Sequence, residues 1–479
     1  MKVLSVLTLA LLAFTVSQAR AADAETEKLP AAVTAALKQQ HMSAKGLSVY
    51  VREIGSPSSL LAYGADTPRN PASTMKLLTT LVALERLGPA YTWKTEVYAD
   101  APVIHGRLDG NLYLKGYGDP YLVIQHFWLF LRALRSNGLE DIHGDLVLDQ
   151  DYFAPTPVDP GEFDGQPLRA YNVQPNALLM NFQAVNIRFL PEPESKRLRI
   201  VIDPMPSQLE VDNNVRLTQH GCRGWSRTLG MQVLHKPTHD QIIFNGRYDA
   251  GCGENAIFRV VTQPTRYIHG IFTSLWGELG GRFDGTARAG SVPVNATLLY
   301  TGYSSPLSDI IRSVNKYSNN VMARQLLLTL GAEVQGPPGT EEKGIKVVHA
   351  WLTEHQLDFP ELVLDNGAGL SREGRISARH LGELLLTAYA SPYMPEFFSS
   401  LPVLAMDGTL KRRQEDSDLA GRAHLKTGTL DDVRAQAGLV LDRQGRRMLV
   451  VTLQNARHAQ GYGGEAVQDA LLHWVYDRP

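Results

Sequence analysis

Apolar positions follow a helical spacing near both ends of the chain and alternate with polar ones in between. Residues 29–40 predict a helix, and residues 46–52 alternate like a strand. In 73–87, Met75, Leu77, Leu78, Leu81, Val82 and Leu84 recur at helical spacing, and Gly88-Pro89 ends the run. From 90 to 297 the texture changes to short alternating segments at 112–114, 146–148, 185–189, 198–202 and 242–244, with a helical interruption at 267–279. Helical patterns return at 309–314 and 321–330. Two strands, 435–441 and 448–453, flank a turn at 442–447, and a closing helix is expected over 465–476. Helices and a sheet at both ends with β material between predict an α/β (α+β) fold: a split domain carrying an insertion.

Composition adds little to this picture. Hydrophobic residues make up 44% and charged residues 20%, as in ordinary globular proteins, and the formal net charge is -2. No basic run appears, so a nucleic-acid partner has no electrostatic support. The first residues do change the picture. Lys2, the apolar run 3–16 and Ala19-Arg-Ala21 read as an export signal over 1–21. The run is shorter than the roughly 20 residues of a spanning helix, so no integral membrane span is expected after cleavage. In an exported chain the only two cysteines, Cys222 and Cys252, predict a disulfide, with two buried thiols as the alternative.

Three short motifs carry candidate chemistry: Ser73-Thr-Met-Lys76, Ser318-Asn-Asn320 and Lys426-Thr-Gly428. The first two patterns are individually weak, because Ser313 to Lys316 and Ser313 to Asn315 match them as well; Lys-Thr-Gly is sharper. A serine hydroxyl needs a neighbour to take its proton, and a lysine three residues along a helix shares its face. Partial desolvation and a nearby cation would bring that lysine toward neutrality. Opening the helix would also set the Ser73 N–H at the positive end of the dipole. Ser318 offers a second hydroxyl to relay a proton, and Asn320 an amide for a substrate backbone. Lys426, Thr427 and Gly428 fit an edge strand that pairs with a peptide and holds its terminal carboxylate. Bland readings exist for each: a helix cap at Ser73, a turn at the asparagines and a turn lysine at 426.

In this order the three motifs resemble the signature shared by penicillin-binding proteins and serine β-lactamases. The long gap between Ser73 and Ser318, with Gly110-Asn-Leu-Tyr-Leu-Lys-Gly-Tyr-Gly-Asp-Pro120, Asp365-Asn-Gly-Ala-Gly-Leu-Ser-Arg372 and Met406-Asp-Gly-Thr-Leu-Lys-Arg412, is similar to class C low-molecular-mass penicillin-binding proteins of the penicillin-binding protein 4 type. That resemblance implies a periplasmic D-alanyl-D-alanine carboxypeptidase or endopeptidase, acting on peptidoglycan peptides and inhibited by β-lactams. It implies a transpeptidase-like catalytic domain over 22–89 and 298–479, an inserted domain II over 90–184 and 263–297, and a domain III over 185–262. It further implies that Ser73 is acylated, Lys76 is its base, Ser318 and Asn320 form the second element, and Lys426 and Thr427 bind the carboxylate. The Ser73 and Thr429 N–H groups would form the oxyanion hole, with Arg372 and Tyr171 near the substrate's third residue. Asn319, Ala368 and Asp431 depart from residues common in relatives.

No cofactor is expected. His235 and His239 have metal-like spacing, but Pro237 breaks a shared helical face, and HExxH is lacking. Two alternatives stay open: a β-lactamase, which would turn penicillin over rather than stay acylated, and a catalytically silent wall-binding protein.

Overall fold

The computed structural model describes residues 28–155 and 158–478. The expected export signal, 1–21, lies outside the described residues.

Five antiparallel strands form the sheet that carries the motifs: β1 (Leu47–Glu53), β2 (Leu61–Tyr63), β3 (Ala423–Leu430), β4 (Val433–Leu441) and β5 (Arg447–Asn455). Their order is β3-β4-β5-β1-β2, so the strand bearing Lys426-Thr-Gly428 is an edge. Helices cover both faces: α1 (Ala31–Gln39), α2 (Lys76–Leu87), α3 (Leu307–Lys316), α4 (Asn320–Gln335), α5 (Glu341–Glu354), α6 (Ala378–Ala390) and α7 (Tyr462–Tyr476). Alternation along the strands divides the burial. Tyr50, Leu449, Val451 and Leu453 point into one core with α2 to α6, while Val49, Val51 and Val450 pack with α1 and α7 in another. Coverage on both faces explains why β5 reads as an unbroken apolar run.

A separate core draws on residues from Val97 to Phe283, built around smaller sheets. Two small clusters tie that region to α4: Phe153 and Ala177 against Leu328 and Ala332, and Val173 and Leu179 against Val321. These contacts seat the 150–180 segment on the helix that begins at the second motif.

Besides the short helix Met394–Ser399, three helices among the described residues were not anticipated. In Ile124–Ser136, Phe127, Phe130, Leu131 and Leu134 share a buried face inside a region read as mostly β. Glu341–Glu354 and Ala378–Ala390 are the others; each begins at a side-chain cap, Thr340 and Ser377 respectively. Ser73 does not open α2. It lies in a 3-10 turn, Ala72–Met75, and the α-helix begins at Lys76.

Cys222 and Cys252 are disulfide-bonded, 30 residues apart. Cross-linking a loop of this size restricts the unfolded chain by about 3 to 4 kcal/mol in the chain-entropy model. Cys222→Ser is expected to lower the unfolding free energy by up to about that amount and to leave the penicillin acylation rate within roughly twofold, because neither cysteine lines the motif-bearing cleft. Denaturant unfolding and acylation kinetics check the two halves. A large fall in acylation would show that the disulfide-bearing region supports the cleft.

Candidate active site

Segments distant in sequence converge at the exposed end of β3. The 3-10 turn carries Ser73, the α3–α4 junction carries Ser318 and Asn320, and the edge strand carries Lys426, Thr427 and Gly428. Together they line a cleft of about 580 Å³ that includes Ser73, Tyr171, Tyr317, Ser318, Asn320, Thr409, Thr427 and Thr429.

Lys76 is fully buried beneath Ser73. Its Nζ lies 2.9 Å from Ser73 Oγ, 2.7 Å from Asn320 Oδ1 and 2.6 Å from the Ala368 carbonyl oxygen. A neutral amine suits this set: two N–H bonds donate to Asn320 and Ala368, and the lone pair accepts from the Ser73 hydroxyl. Burial drives the Lys76 pKa well below the ordinary lysine range, and the charge of Lys426 drives it further. The carbonyl of Ala368 makes the contact, so the alanine side chain costs the lysine nothing.

Lys426 is also fully buried. Its Nζ donates to Ser318 Oγ at 2.8 Å and to the Thr427 carbonyl at 2.7 Å. Burial lowers its pKa to about 7, so the free protein does not hold it fully charged at neutral pH. Ser318 is bonded to Lys426 rather than to Lys76.

Backbone geometry fixes these groups. Ala72 and Ser318 both have left-handed backbone, with φ of 45° and 56°. Such conformations are unfavourable for non-glycine residues and persist only where the surroundings hold them. Asn70 supplies that hold beside Ser73: its Oδ1 accepts from Ala72 N at 2.8 Å, and its Nδ2 donates to the Ser371 carbonyl. The Asn455 side chain brackets the Asn70 backbone, its Oδ1 accepting from the Asn70 N–H at 2.7 Å and its Nδ2 donating to the Asn70 carbonyl at 3.0 Å. Gly428 is required by close approach. A Cβ there would stand 2.7 Å from Pro71 O and 2.9 Å from Ser73 N. Asn319 caps α4, its Oδ1 accepting from Met322 N. Aspartate caps a helix equally well, so this departure preserves the structural role.

The outlying residues divide. Tyr171 lines the cleft, with its hydroxyl donating to Asp164 at 2.7 Å. Arg372 lines a neighbouring groove instead, paired with Asp431 at 3.3 Å and stacked over the Phe163 ring. Sequence reasoning missed Asn70, Asn455 and Thr409, whose hydroxyl meets that of Thr427 at 2.8 Å. Only the Met406 to Arg412 stretch signalled any of them. Among the described residues, no cluster of His, Cys, Asp or Glu fits a metal ion.

Residues 29–476 match the D-Ala-D-Ala carboxypeptidase 3 (S13) family. The chain belongs to this family. As an S13 protein it is a serine peptidase of the D-Ala-D-Ala carboxypeptidase kind. A D-alanyl-D-alanine carboxypeptidase of Actinomadura sp. (strain R39) is 28% identical over 482 residues, 97% of this chain and 87% of the relative. The carboxypeptidase DacB of Haemophilus influenzae is 24% identical, covering 88% of this chain and 87% of its own. The fold is shared with the crystal structure of penicillin-binding protein 4 from Haemophilus influenzae, at TM-score 0.77 and 21% identity over 93% of this chain and 99% of that one. A predatory peptidoglycan endopeptidase from Bdellovibrio bacteriovorus shows a TM-score of 0.53, with 16% identity over 89% and 92% of the two chains.

Proposed function

We propose that this S13 peptidase cleaves D-Ala-D-Ala peptides of peptidoglycan through an ester on Ser73. The supporting observation is the fully buried Lys76 amine, 2.9 Å from Ser73 Oγ and depressed by burial. Neutral Lys76 takes the Ser73 proton as Oγ attacks the scissile carbonyl carbon. The oxyanion forms against the Ser73 and Thr429 N–H groups. The C–N bond then breaks as the Ser318 hydroxyl gives its proton to the departing amine and takes the one that Lys76 received from Ser73, and the terminal D-alanine leaves. Water hydrolyses the ester and restores Ser73. Lys426 and Thr427 hold the terminal carboxylate, Asn320 meets a substrate amide, and Tyr171 and Arg372 flank the acyl side.

Penicillin enters as a mimic of the same peptide, and its ring carbonyl becomes the ester. The penicillin-binding protein 4 of Haemophilus influenzae, which shares this fold, has been crystallised with a β-lactam, and that supports this reading. The catalytic unit is assigned to 22–89 and 298–479. Domain II is assigned to 90–184 and 263–297, and domain III to 185–262. The protein is placed in the periplasm, which agrees with its disulfide. No helix among the described residues is long and apolar enough to cross a membrane.

A fluorescent penicillin is expected to label Ser73 stoichiometrically and to remain bound, and Ser73→Ala is expected to lose the label. Intact mass and peptide mapping locate the adduct. An adduct at Ser313 would sink the assignment, and rapid release of hydrolysed penicillin would favour a β-lactamase. Incubation with purified muropeptides then reads which bond is cut.

A further inference from the structure

The Met406 to Arg412 segment stands out in the sequence, yet the acylation chemistry leaves it unused. The structure anchors it at both ends. Asp407 pairs with Lys316 at 2.6 Å, two residues before Ser318. Gly408 lies so close to the Lys316 carbonyl that a Cβ would stand 2.4 Å from its oxygen. Leu410 is buried, and buried Arg413 bonds Asp469 at 2.5 Å. Between these anchors Arg412 is exposed and lines the Ser73 cleft with Thr409 and Tyr317. Arg412 has no ion-pair partner among the described residues. The cleft's other charges nearby are balanced: Arg434 pairs with Glu465, and Arg413 with Asp469.

Arg412 lines this cleft and also a neighbouring groove with Glu415, Asp416 and Asp418, and the direction of β3 says which side of the cleft it borders. On the reading above, the reacting carbonyl lies between Ser73 and Thr429, and the departing residue's carboxylate lies at Lys426 and Thr427. The acyl side therefore runs toward Leu430, and the leaving side runs back toward Thr427. Thr409 touches Thr427 at 2.8 Å, so the segment ending in Arg412 borders the leaving side. A departing D-alanine ends at its carboxylate and has nothing further to offer. A departing residue whose side chain continues into a second acidic peptide, as in a cross-link, presents further carboxylates there. A guanidinium matches a carboxylate with two parallel N–H donors.

We propose that Arg412 binds a carboxylate on the leaving-group side of the scissile bond, so that the cleft favours cross-linked acidic peptides over free-ended ones. Tyr317, exposed at the same border, forms an apolar wall for the continuing chain. This inference rests on the Ser73 reading and extends it to the leaving group.

The test compares the full mature protein with Arg412→Gln, Arg412→Glu and Arg412→Lys. Three reactions are followed: penicillin acylation, D-alanine release from a monomeric pentapeptide muropeptide, and cleavage of a cross-linked muropeptide dimer. Arg412→Gln is expected to lower kcat/KM for the dimer roughly tenfold, and Arg412→Glu more. The other two reactions should change less than about twofold, and Arg412→Lys should retain most dimer cleavage. Amidating only the carboxylates of the continuing peptide, with the one beside the scissile bond left free, should remove the difference between wild type and Arg412→Gln. Equal losses on monomer and dimer, or none on the dimer, overturn the proposal. A wild-type protein that acylates normally but leaves the dimer intact also overturns it, while Ser73 keeps its role. Absence of a Ser73 adduct in the wild type marks failure of the underlying reading instead.

Discussion

Lys76→Arg is expected to lower the second-order acylation rate by about a thousandfold, for penicillin and for a D-Ala-D-Ala peptide alike. The substitution keeps a positive charge and removes a base, because a guanidinium does not deprotonate in the working range. In the wild type, the buried amine gives two N–H bonds to Asn320 Oδ1 and Ala368 O and turns its lone pair to Ser73. Arginine has donors only, so the Ser73 proton has no acceptor there. Its planar fork also needs more room than a fully buried ammonium site provides. Both substrates suffer because proton removal from Ser73 precedes any difference between them. Lys76→Met serves as the partner variant. It removes the base without adding volume or charge and should show a comparable acylation defect, while its thermal midpoint reports whether the fold survives. Near-normal acylation by Lys76→Arg would refute the general base.

Much of this chemistry was legible in the sequence because it depends on local spacing. A lysine three residues after a serine shares its face in a 3-10 turn nearly as in an α-helix, so the pairing of Ser73 with Lys76 survived the wrong helix start. The hairpin of β4 and β5 followed from apolar runs around a polar turn, and Lys426-Thr-Gly428 lies on an edge as its short extended pattern suggested. Long-range support was not legible. Asn70 and Asn455 are far apart in the chain, and neither sits in a motif, yet their reciprocal bonds hold the strained Ala72. The Ser318 contact was not legible for a related reason. Spacing places a second hydroxyl in the cleft, but only tertiary structure decides which lysine it meets. Helix Ile124–Ser136 was hidden differently: its apolar face was present, but the flanking short strands set the reading of the whole region.

Lys426 sets the second large effect, an alkaline limb in the pH dependence of acylation. The two buried lysines must differ in charge: Lys76 neutral to accept a proton, Lys426 charged to attract a carboxylate. Burial lowers both, and the charge of Lys426 presses Lys76 lower still, so Lys76 gives up its proton first as pH rises. Below that step both are charged and Ser73 has no base. Above about 7, Lys426 loses its own proton and the carboxylate site loses its cation. The active form lies between, and kcat/KM reports the free protein's titration. Acylation by penicillin should therefore fall about tenfold per pH unit on the alkaline side, reaching roughly a hundredfold loss two units above the Lys426 step. Two measurements isolate the cause. A penicillin methyl ester has no carboxylate to lose, so its slower acylation should lack the limb. Lys426→Arg keeps its charge throughout, and its residual activity should stay level across the same interval. The wild-type rates for penicillin and its ester, followed from pH 6 to 10, should converge as Lys426 discharges. An unchanged limb with the ester would assign the titration to a group other than Lys426.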